Sequence, residues 1–389
     1  MEKIFNVLFI THESRMYGAN HSLLNLIDGL DKTIKPFVLL SEYGPLTEEL
    51  EIRGVSYHMF RYRQSGLWYK GGIIDNPLIY FIKSIYYPIL NYFYCYKILK
   101  VFKDLKIDIV HSNISIVTIG PLISRLLKCK HVWHVREFQD IDHGFKLFIS
   151  KNNFLKQLKS ADAIICITKA VSDHFNLGAF STIIYNGVRA SLKPVINRKK
   201  DYYLFCGVVK KEKGIEEAIL AFAIVANRID NVVLKIVGGI EDVNYEAYLR
   251  QLLLSKGIVD RVEFLGFRDN VDDLIRQAQA LLMCSQNEAM GRITAEAMLL
   301  GCPVVGFNRQ GTSELITHKK NGLLYESTHE LAEWLIYAYL NKNEMLLLIT
   351  NAREYAVKNF LEEVYANRVL LLYKSLFSSL VDRSTHTSI

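Results

Sequence analysis

Twice along the chain, short apolar runs alternate with longer amphipathic ones. The first set comprises "NVLFIT", "PFVLL", "VSYHMF", "DIVHS", "HVWHV" and "AIICI"; the second comprises "YLFCG", "VLKIVGG", "VEFLGF", "ALLMCS", "PVVGF" and "GLLYE". Strands this continuously apolar need cover on both faces, and the helical patterns between them supply it. Each set therefore predicts a parallel, doubly wound α/β sheet. The alternation lapses over a basic, poorly patterned stretch, "ASLKPVINRKKD" (Ala190–Asp201), and then restarts. The chain of 389 residues accordingly reads as two Rossmann-like domains, residues 1–190 and 201–360, joined by that linker. Ligands of such sheets bind beyond the carboxyl ends of the strands, so two such domains facing each other across a cleft would bind there. The helical run Leu361–Leu380 has no partner left in the second half and is expected to pack back on the first domain, with residues 381–389 a loose tail.

Composition excludes several classes. Lys and Arg number 47 against 40 acidic residues, a net charge of +7, which suits an anionic ligand or membrane surface. No basic block, zinc-finger or RNA-binding signature accompanies it, so nucleic acid is not expected as a partner. None of the six cysteines forms a Cys-x-x-Cys pair, and at least four lie in or beside strand-like runs. They read as small buried apolar residues in a reducing compartment. The N-terminus lacks a signal-peptide cleavage site and begins directly as a strand. The longest stretch without Asp, Glu, Lys or Arg, Ile109–Ser124, has 16 residues, short of the ~20 that a spanning helix needs. The expectation is a cytoplasmic protein.

The stretch with the clearest chemistry is "SQNEAMGRITAEAMLLGCPVVG" (Ser285–Gly306). The apolar spacing Ile293, Ala297, Leu300 predicts a helix opening near Gly291–Arg292. Its first amides have no internal partners and its dipole is positive there, so a phosphate fits. Glu288 precedes the helix and Glu296 lies within it; eight residues turn their directions roughly 80° apart. They read as two separate contacts. A carboxylate accepts both hydroxyls of a vicinal diol. A phosphate cradle between two diol readers suits a nucleotide sugar.

The same stretch strongly resembles the E-x7-E region of retaining GT-B glycosyltransferases, in particular glycosyltransferase family 4 (group 1). Further landmarks in order are "YGANHSLLNLI", "GPLTEELEIRGV", "SADAIICITKAV", "IIYNGV", "KEKGIEEAILAF", "DRVEFLGF" and "GTSELITHKKNGLLYE". The resemblance implies a GT-B fold and transfer of a hexose from a UDP- or GDP-linked donor to a lipid-linked or saccharide acceptor with retention, in surface polysaccharide or glycolipid synthesis. No metal or other cofactor is implied.

It also implies site residues. Glu288 would approach the donor sugar and Glu296 the ribose. The amides of Met290, Gly291 and Arg292 would face sugar and phosphate. Leu265 and Phe267 would meet the base through their backbone, and Gly18 would admit the diphosphate. His134 would lie near the reacting sugar, with Arg136 and Glu137 on the acceptor side. Lys213 matches the family's diphosphate cation. The family commonly follows the glycine at position 207 with an Arg, where this chain has Val208; Lys210 is the nearest substitute. That departure admits an alternative, a catalytically weak nucleotide-sugar-binding homologue acting as a partner or scaffold.

Two features lie outside this scheme. "QDIDH" (Gln139–His143) holds an Asp-x-Asp pair but no supporting strand–helix context, and reads as a solvated loop. "LIYFIKSIYYPILNYFYCYKILKVFKDLK" (Leu78–Lys106) mixes nine Phe or Tyr with lysines. It suits either peripheral contact with an anionic membrane at its inner face or a buried helix pair broken or kinked at Pro88.

Overall fold

The computed structural model describes residues 4–68, 76–188, 192, 194–196, 198–240, 242–268 and 270–378. The tail at 381–389 lies outside them. The chain divides into two compact units, Met1–Gly187 with Glu362–Ile389, and Val188–Leu361.

In the first unit the strands are β1 (Phe5–Ile10), β2 (Ile34–Leu40), β3 (Ser56–Met59), β4 (Gly66–Trp68), β5 (Ile109–Ser112), β6 (Lys130–Val135), β7 (Phe145–Leu147), β8 (Ala163–Cys166) and β9 (Ser181–Ile183). Seven form a parallel sheet in the order β3-β2-β1-β5-β6-β8-β9, while β4 and β7 make a separate antiparallel ribbon. Val7, Leu8, Phe9 and Ile10 all have 0% exposure, so β1 is covered on both faces.

The second unit carries β10 (Tyr202–Cys206), β11 (Val233–Val237), β12 (Val262–Gly266), β13 (Leu281–Met283), β14 (Val304–Phe307) and β15 (Leu323–Tyr325), all parallel, in the order β12-β11-β10-β13-β14-β15. Each sheet grows outward one way from its first strand and then reverses, between β1 and β5 and between β10 and β13. At such switch points the loops after the two strands diverge and leave room for a ligand. All twelve apolar runs quoted above form strands, and both units are doubly wound.

The helix Glu362–Ser378 belongs to the first unit. Its Tyr365, Ala366, Val369, Leu370 and Tyr373 are buried in the same cluster as Phe5, Val7 and Leu23. A Cβ at Gly29 would sit 2.8 Å from Ala366 Cβ, so that glycine allows the helix Gly18–Gly29 to lie against it. Each large apolar side chain buried there stabilises the unit by about 1.5–3 kcal/mol.

Two expectations need correction. The described part of the stretch read as a linker is packed on the second unit. Lys199 Nζ donates to Arg276 O (2.6 Å) and Gly301 O (2.7 Å), Lys200 N donates to Gln277 O, and Val195 lies against Gly301. The chain passes between units at Gly187–Val188 and again at Leu361–Glu362. A run of lysines looks solvated in sequence, but carbonyls at the ends of neighbouring elements take up the Lys199 ammonium. Secondly, one helix, Pro77–Phe102, runs unbroken through Pro88. Pro88 is exposed, so the carbonyl deprived of an amide partner is not sealed in a core. Nor is this a buried helix pair: only Asn91, Cys95, Ile98 and Phe102 are buried along it.

Candidate functional site

In the second unit, β10 and β13 flank the switch point. Loop 207–214 leaves β10 for the helix Ile215–Ala226, and loop 284–291 leaves β13 for the helix Arg292–Leu299. Lys213 on the first loop and Glu288 on the second meet: Lys213 Nζ lies 2.8 Å from Glu288 Oε2. The other oxygen, Oε1, accepts from the Gly291 amide at 3.2 Å. Burial pushes the Glu288 carboxyl up, but the charge and hydrogen bond of Lys213, the Gly291 amide and a bond from Ser285 outweigh it and hold it below its ordinary range. The carboxylate thus sits, ionised, against the Lys213 ammonium and the Gly291 amide.

Two glycines let backbone close on the 284–291 loop, Gly214 from the first loop and Gly311 from the helix Gln310–Leu315. Gly214 has φ +73°, and a Cβ on it would lie 2.1 Å from Cys284 O. At Gly311 a Cβ would lie 2.5 Å from Ala289 O and 2.7 Å from Glu288 O, and the Gly311 amide donates to Glu288 O at 3.0 Å. Gly311 carries no chemistry, and the sequence reading did not single it out. Gly311→Ala is expected to destabilise the second unit by about 1–3 kcal/mol, since the obstruction is backbone rather than a mobile side-chain tip. A thermal melt checks this; an unchanged melting temperature would show that the Glu288 loop has room to move.

The helix Arg292–Leu299 opens at Gly291, φ +81°, as the apolar spacing predicts. Met290 is 2% exposed. Glu296 lies within that helix and is loosely paired with Arg292, Nη2 to Oε1 3.7 Å. Burial raises its carboxyl, Arg292 opposes this, and Asp272 adds to the rise. Cys206, at the end of β10, is pushed up to about 12 by burial and then by the charge of Glu296. The two glutamates are therefore shifted in opposite directions, one held ionised chiefly by Lys213 and one raised chiefly by its burial. Gly207 follows Cys206, Val208 is 37% exposed, and Lys210, also exposed, precedes the short 3₁₀ turn Lys211–Lys213. Leu265 is half-buried near the end of β12, and Phe267 beyond it is 76% exposed. The sequence reading also missed Thr294, whose buried Oγ1 has no hydrogen-bond partner among the described residues.

In the first unit, His134 is the penultimate residue of β6 and is fully buried. Its Nδ1 lies 3.1 Å from Arg136 Nη2 and 3.2 Å from His111 Nε2, and His111 Nδ1 lies 2.6 Å from Tyr373 Oη. Burial, then the charges of Arg136 and His111, hold His134 well below the usual histidine range, so it is neutral. Arg136 can only donate, so Nδ1 accepts and the ring proton sits on Nε2. His111 then donates through Nε2 and accepts from the Tyr373 hydroxyl. The His134 Nε2–H is buried without a partner among the described residues.

Arg136 and Glu137, expected on the acceptor side, are instead taken up by internal bonds. Arg136 is 6% exposed and donates to Asn113, Asn186 and Tyr365 as well as His134. Glu137 is 5% exposed and accepts from the amide and hydroxyl of Ser115. β6 is buried from His131 to Val135, and the residues just beyond its end stay in the protein with it. Gly18 is exposed at the start of the helix Gly18–Gly29. The loop before it is braced by Asn20, which accepts from Thr11 Oγ1 (2.7 Å) and donates to Glu13 O (2.9 Å) and Arg15 O (2.8 Å). Asp140, in the Asp-x-Asp pair, is bonded to His174 at 2.8 Å. Among the described residues no group of three His, Cys, Asp or Glu could share a metal ion. All six cysteines are free. No helix of the described residues is long and apolar enough to cross a membrane.

Comparison with known proteins identifies the family. The model for "Glycosyl transferases group 1" matches residues 190–355, and that for "Glycosyltransferase Family 4" matches residues 18–192. N-acetyl-alpha-D-glucosaminyl L-malate synthase of Bacillus anthracis is 30% identical over 170 residues, 43% of this chain and 42% of that relative. Alpha-monoglucosyldiacylglycerol synthase of Streptococcus pneumoniae is 25% identical over 280 residues, 64% of this chain and 63% of the relative. The chain thus aligns with less than two thirds of either relative. Among solved structures, Anabaena Alr3699/HepE in complex with UDP superposes with a TM-score of 0.76 at 21% identity, over 95% of this chain and 100% of that one. That likeness shows the GT-B fold. With the family models together spanning both units, the chain belongs to the group 1 glycosyl transferases of glycosyltransferase family 4.

Proposed function

We propose that the protein transfers a hexose from a UDP- or GDP-linked donor to an acceptor hydroxyl with retention of configuration, in glycolipid or surface polysaccharide synthesis. The observation that carries this is the Lys213–Glu288–Gly291 cluster at the switch point of the second sheet. Lys213 and the opening amides of the helix at Arg292 would receive the diphosphate. Glu288, displaced from them by it, would turn to the sugar hydroxyls, and Glu296 would accept from the ribose. UDP is the favoured nucleotide, since the Anabaena neighbour was solved with it.

The reaction breaks the bond from the anomeric carbon to the diphosphate oxygen and forms one to the acceptor oxygen on the same face. The acceptor's proton passes to the departing diphosphate. Lys213 stabilises the charge that grows there. His134, held neutral, would donate its Nε2–H to a substrate oxygen. No step calls for a metal, and the acceptor is a lipid-linked or saccharide hydroxyl met on the cytoplasmic face of a membrane. The diacylglycerol named for the streptococcal relative supports the lipid class.

Val208 favours a second reading. With valine where the family commonly has an arginine after the glycine, and unless Lys210 makes up for it, the protein would bind a nucleotide sugar and turn over slowly, acting as a partner. One set of measurements separates the two. A UDP-sugar at a hundred times its dissociation constant is expected to raise the melting temperature by roughly 5–10 °C. Transfer is expected to continue in EDTA, with a product whose anomeric NMR signal matches the donor's configuration. Stabilisation with no turnover across many acceptors would favour the second reading. No stabilisation by any UDP-, GDP- or ADP-sugar would remove both.

A further inference from the structure

Among the described residues nothing covers the outward face of the helix Pro77–Phe102. Leu78, Ile82, Ile85, Ile89, Tyr92 and Tyr96 follow one another at spacings of four and three, and each is between 51% and 67% exposed. A helix apolar on all sides belongs in a core or against lipid, and an apolar stripe this long is not the scattered exposure usual on a soluble surface. The helix contains Lys83, Lys97 and Lys100 and no acidic residue. Two copies packed along this stripe would bring lysines together with nothing to neutralise them, whereas an anionic bilayer would meet lysines, aromatic rings and aliphatic side chains alike.

Beside the helix lies a cavity of about 250 Å³, lined by Ser41, Glu42, Tyr43, Met59, Arg61 and Arg63. It opens beyond the carboxyl ends of β2 and β3, where ligands of such sheets are held. Its wall is joined to the helix. Asn91 Oδ1 accepts from the Arg63 amide (2.7 Å) and Asn91 Nδ2 donates to Arg63 O (2.8 Å). The Arg63 guanidinium lies 6.0 Å from the centre of the Tyr87 ring, and Lys83 Nζ lies 5.9 Å from the same ring. Two arginines face one carboxylate, Glu42, which also lies in the field of Arg15. Planar guanidinium groups bind phosphate with two hydrogen bonds each.

We propose that this cavity receives the phosphate or diphosphate of a lipid-linked molecule whose chain enters the bilayer along the exposed face of the helix Pro77–Phe102. Resting on the transferase reading above, that molecule is the acceptor. The lipid site itself is tested without any sugar nucleotide, so the two readings can fail separately.

The test is co-sedimentation of the full chain with phosphatidylcholine vesicles carrying either phosphatidic acid, a phosphate monoester, or phosphatidylserine at matched surface charge. Wild type is expected to bind both and to prefer phosphatidic acid. Arg61→Gln with Arg63→Gln is expected to lower binding to phosphatidic acid vesicles roughly thirtyfold and to erase the preference. Ile85→Ser with Ile89→Ser is expected to weaken binding to every vesicle. All four side chains are exposed, so melting curves should report intact folding. Equal binding to the two lipids, or a preference that survives the arginine substitutions, would overturn the proposal. So would a stable dimer in solution that these isoleucine substitutions dissociate, which would make a second copy the cover. Inorganic pyrophosphate alone raising the melting temperature of wild type but not of the arginine variant would make the cavity a site for soluble anions instead.

Discussion

Lys213→Ala is expected to lower the transfer rate by about 10²–10³-fold with the fold retained, the loss usual when a preorganised group at a developing oxyanion is removed. The lysine is held by an ion pair with Glu288 at the sheet's switch point, and its own side chain remains 40% exposed. It is therefore both positioned and reachable. Val208, where the resembled family commonly has a second cation, makes the effect larger, since only the neighbouring Lys210 and Lys211 remain in that loop to share the diphosphate charge. The fold should tolerate the change, because the lysine side chain is 40% exposed and the Gly291 amide still donates to the Glu288 carboxylate. Glu288, without its cation, should rise toward or above the ordinary carboxylate range. Steady-state rates with saturating donor, beside a melting curve, settle the matter. A rate within twofold of wild type would remove Lys213 from the chemistry and favour a binding role for the loop.

Arg136→Ala is expected to cost the first unit about 3–5 kcal/mol. The guanidinium is buried and donates through Nε to Asn113 O (2.9 Å), and through Nη2 to Asn113 Oδ1 (2.8 Å), Tyr365 Oη (2.8 Å) and His134 Nδ1 (3.1 Å). Truncation leaves several buried polar atoms facing a void, at about 1–3 kcal/mol for each one left unsatisfied. It also cuts the joint between β6 and the C-terminal helix Glu362–Ser378. Lysine should not restore it, because one ammonium cannot reproduce a planar fork with several acceptors. Chemical denaturation followed by the first unit's own fluorescence or hydrogen exchange measures the loss. A loss below about 1 kcal/mol would mean that water replaces the guanidinium readily, in which case His134 is held by His111 alone.

Most of the framework could be read before any coordinates. The twelve apolar runs are all strands, because a parallel strand covered on both faces leaves an unbroken apolar signature. β4, β7 and β9 were missed; each has three residues, too few to show a period. The helix opening at Gly291 was visible because its apolar face keeps a spacing of three and four. Pro88 misled, since the rule against proline within a helix weakens where the freed carbonyl is exposed. The lysine-rich stretch near residue 199 misled as well, because charge in a sequence does not say which carbonyls will fold onto it.

Within the candidate site the same division holds. Glu288, Glu296 and Lys213 could be named from residue type, spacing and family resemblance. That Glu288 rests on Lys213 and the Gly291 amide could not, since 75 residues separate the two partners of that ion pair. The brace behind His134 was further out of reach: His111 and Tyr373 lie 262 residues apart, and Arg136 and Tyr365 lie 229 apart. Local periodicity is a property of neighbours along the chain, governed by the turn of a helix and the pleat of a strand, so the order of residues determined the elements, their winding and the chemical types on offer. Hydrogen bonds act over about 3 Å of space without regard to sequence separation. Only the tertiary structure, by bringing distant loops and the returning C-terminal helix against the sheets, decided which carboxylate meets which cation, which histidine is pinned in one tautomer, and which arginine is withdrawn from the surface to hold it.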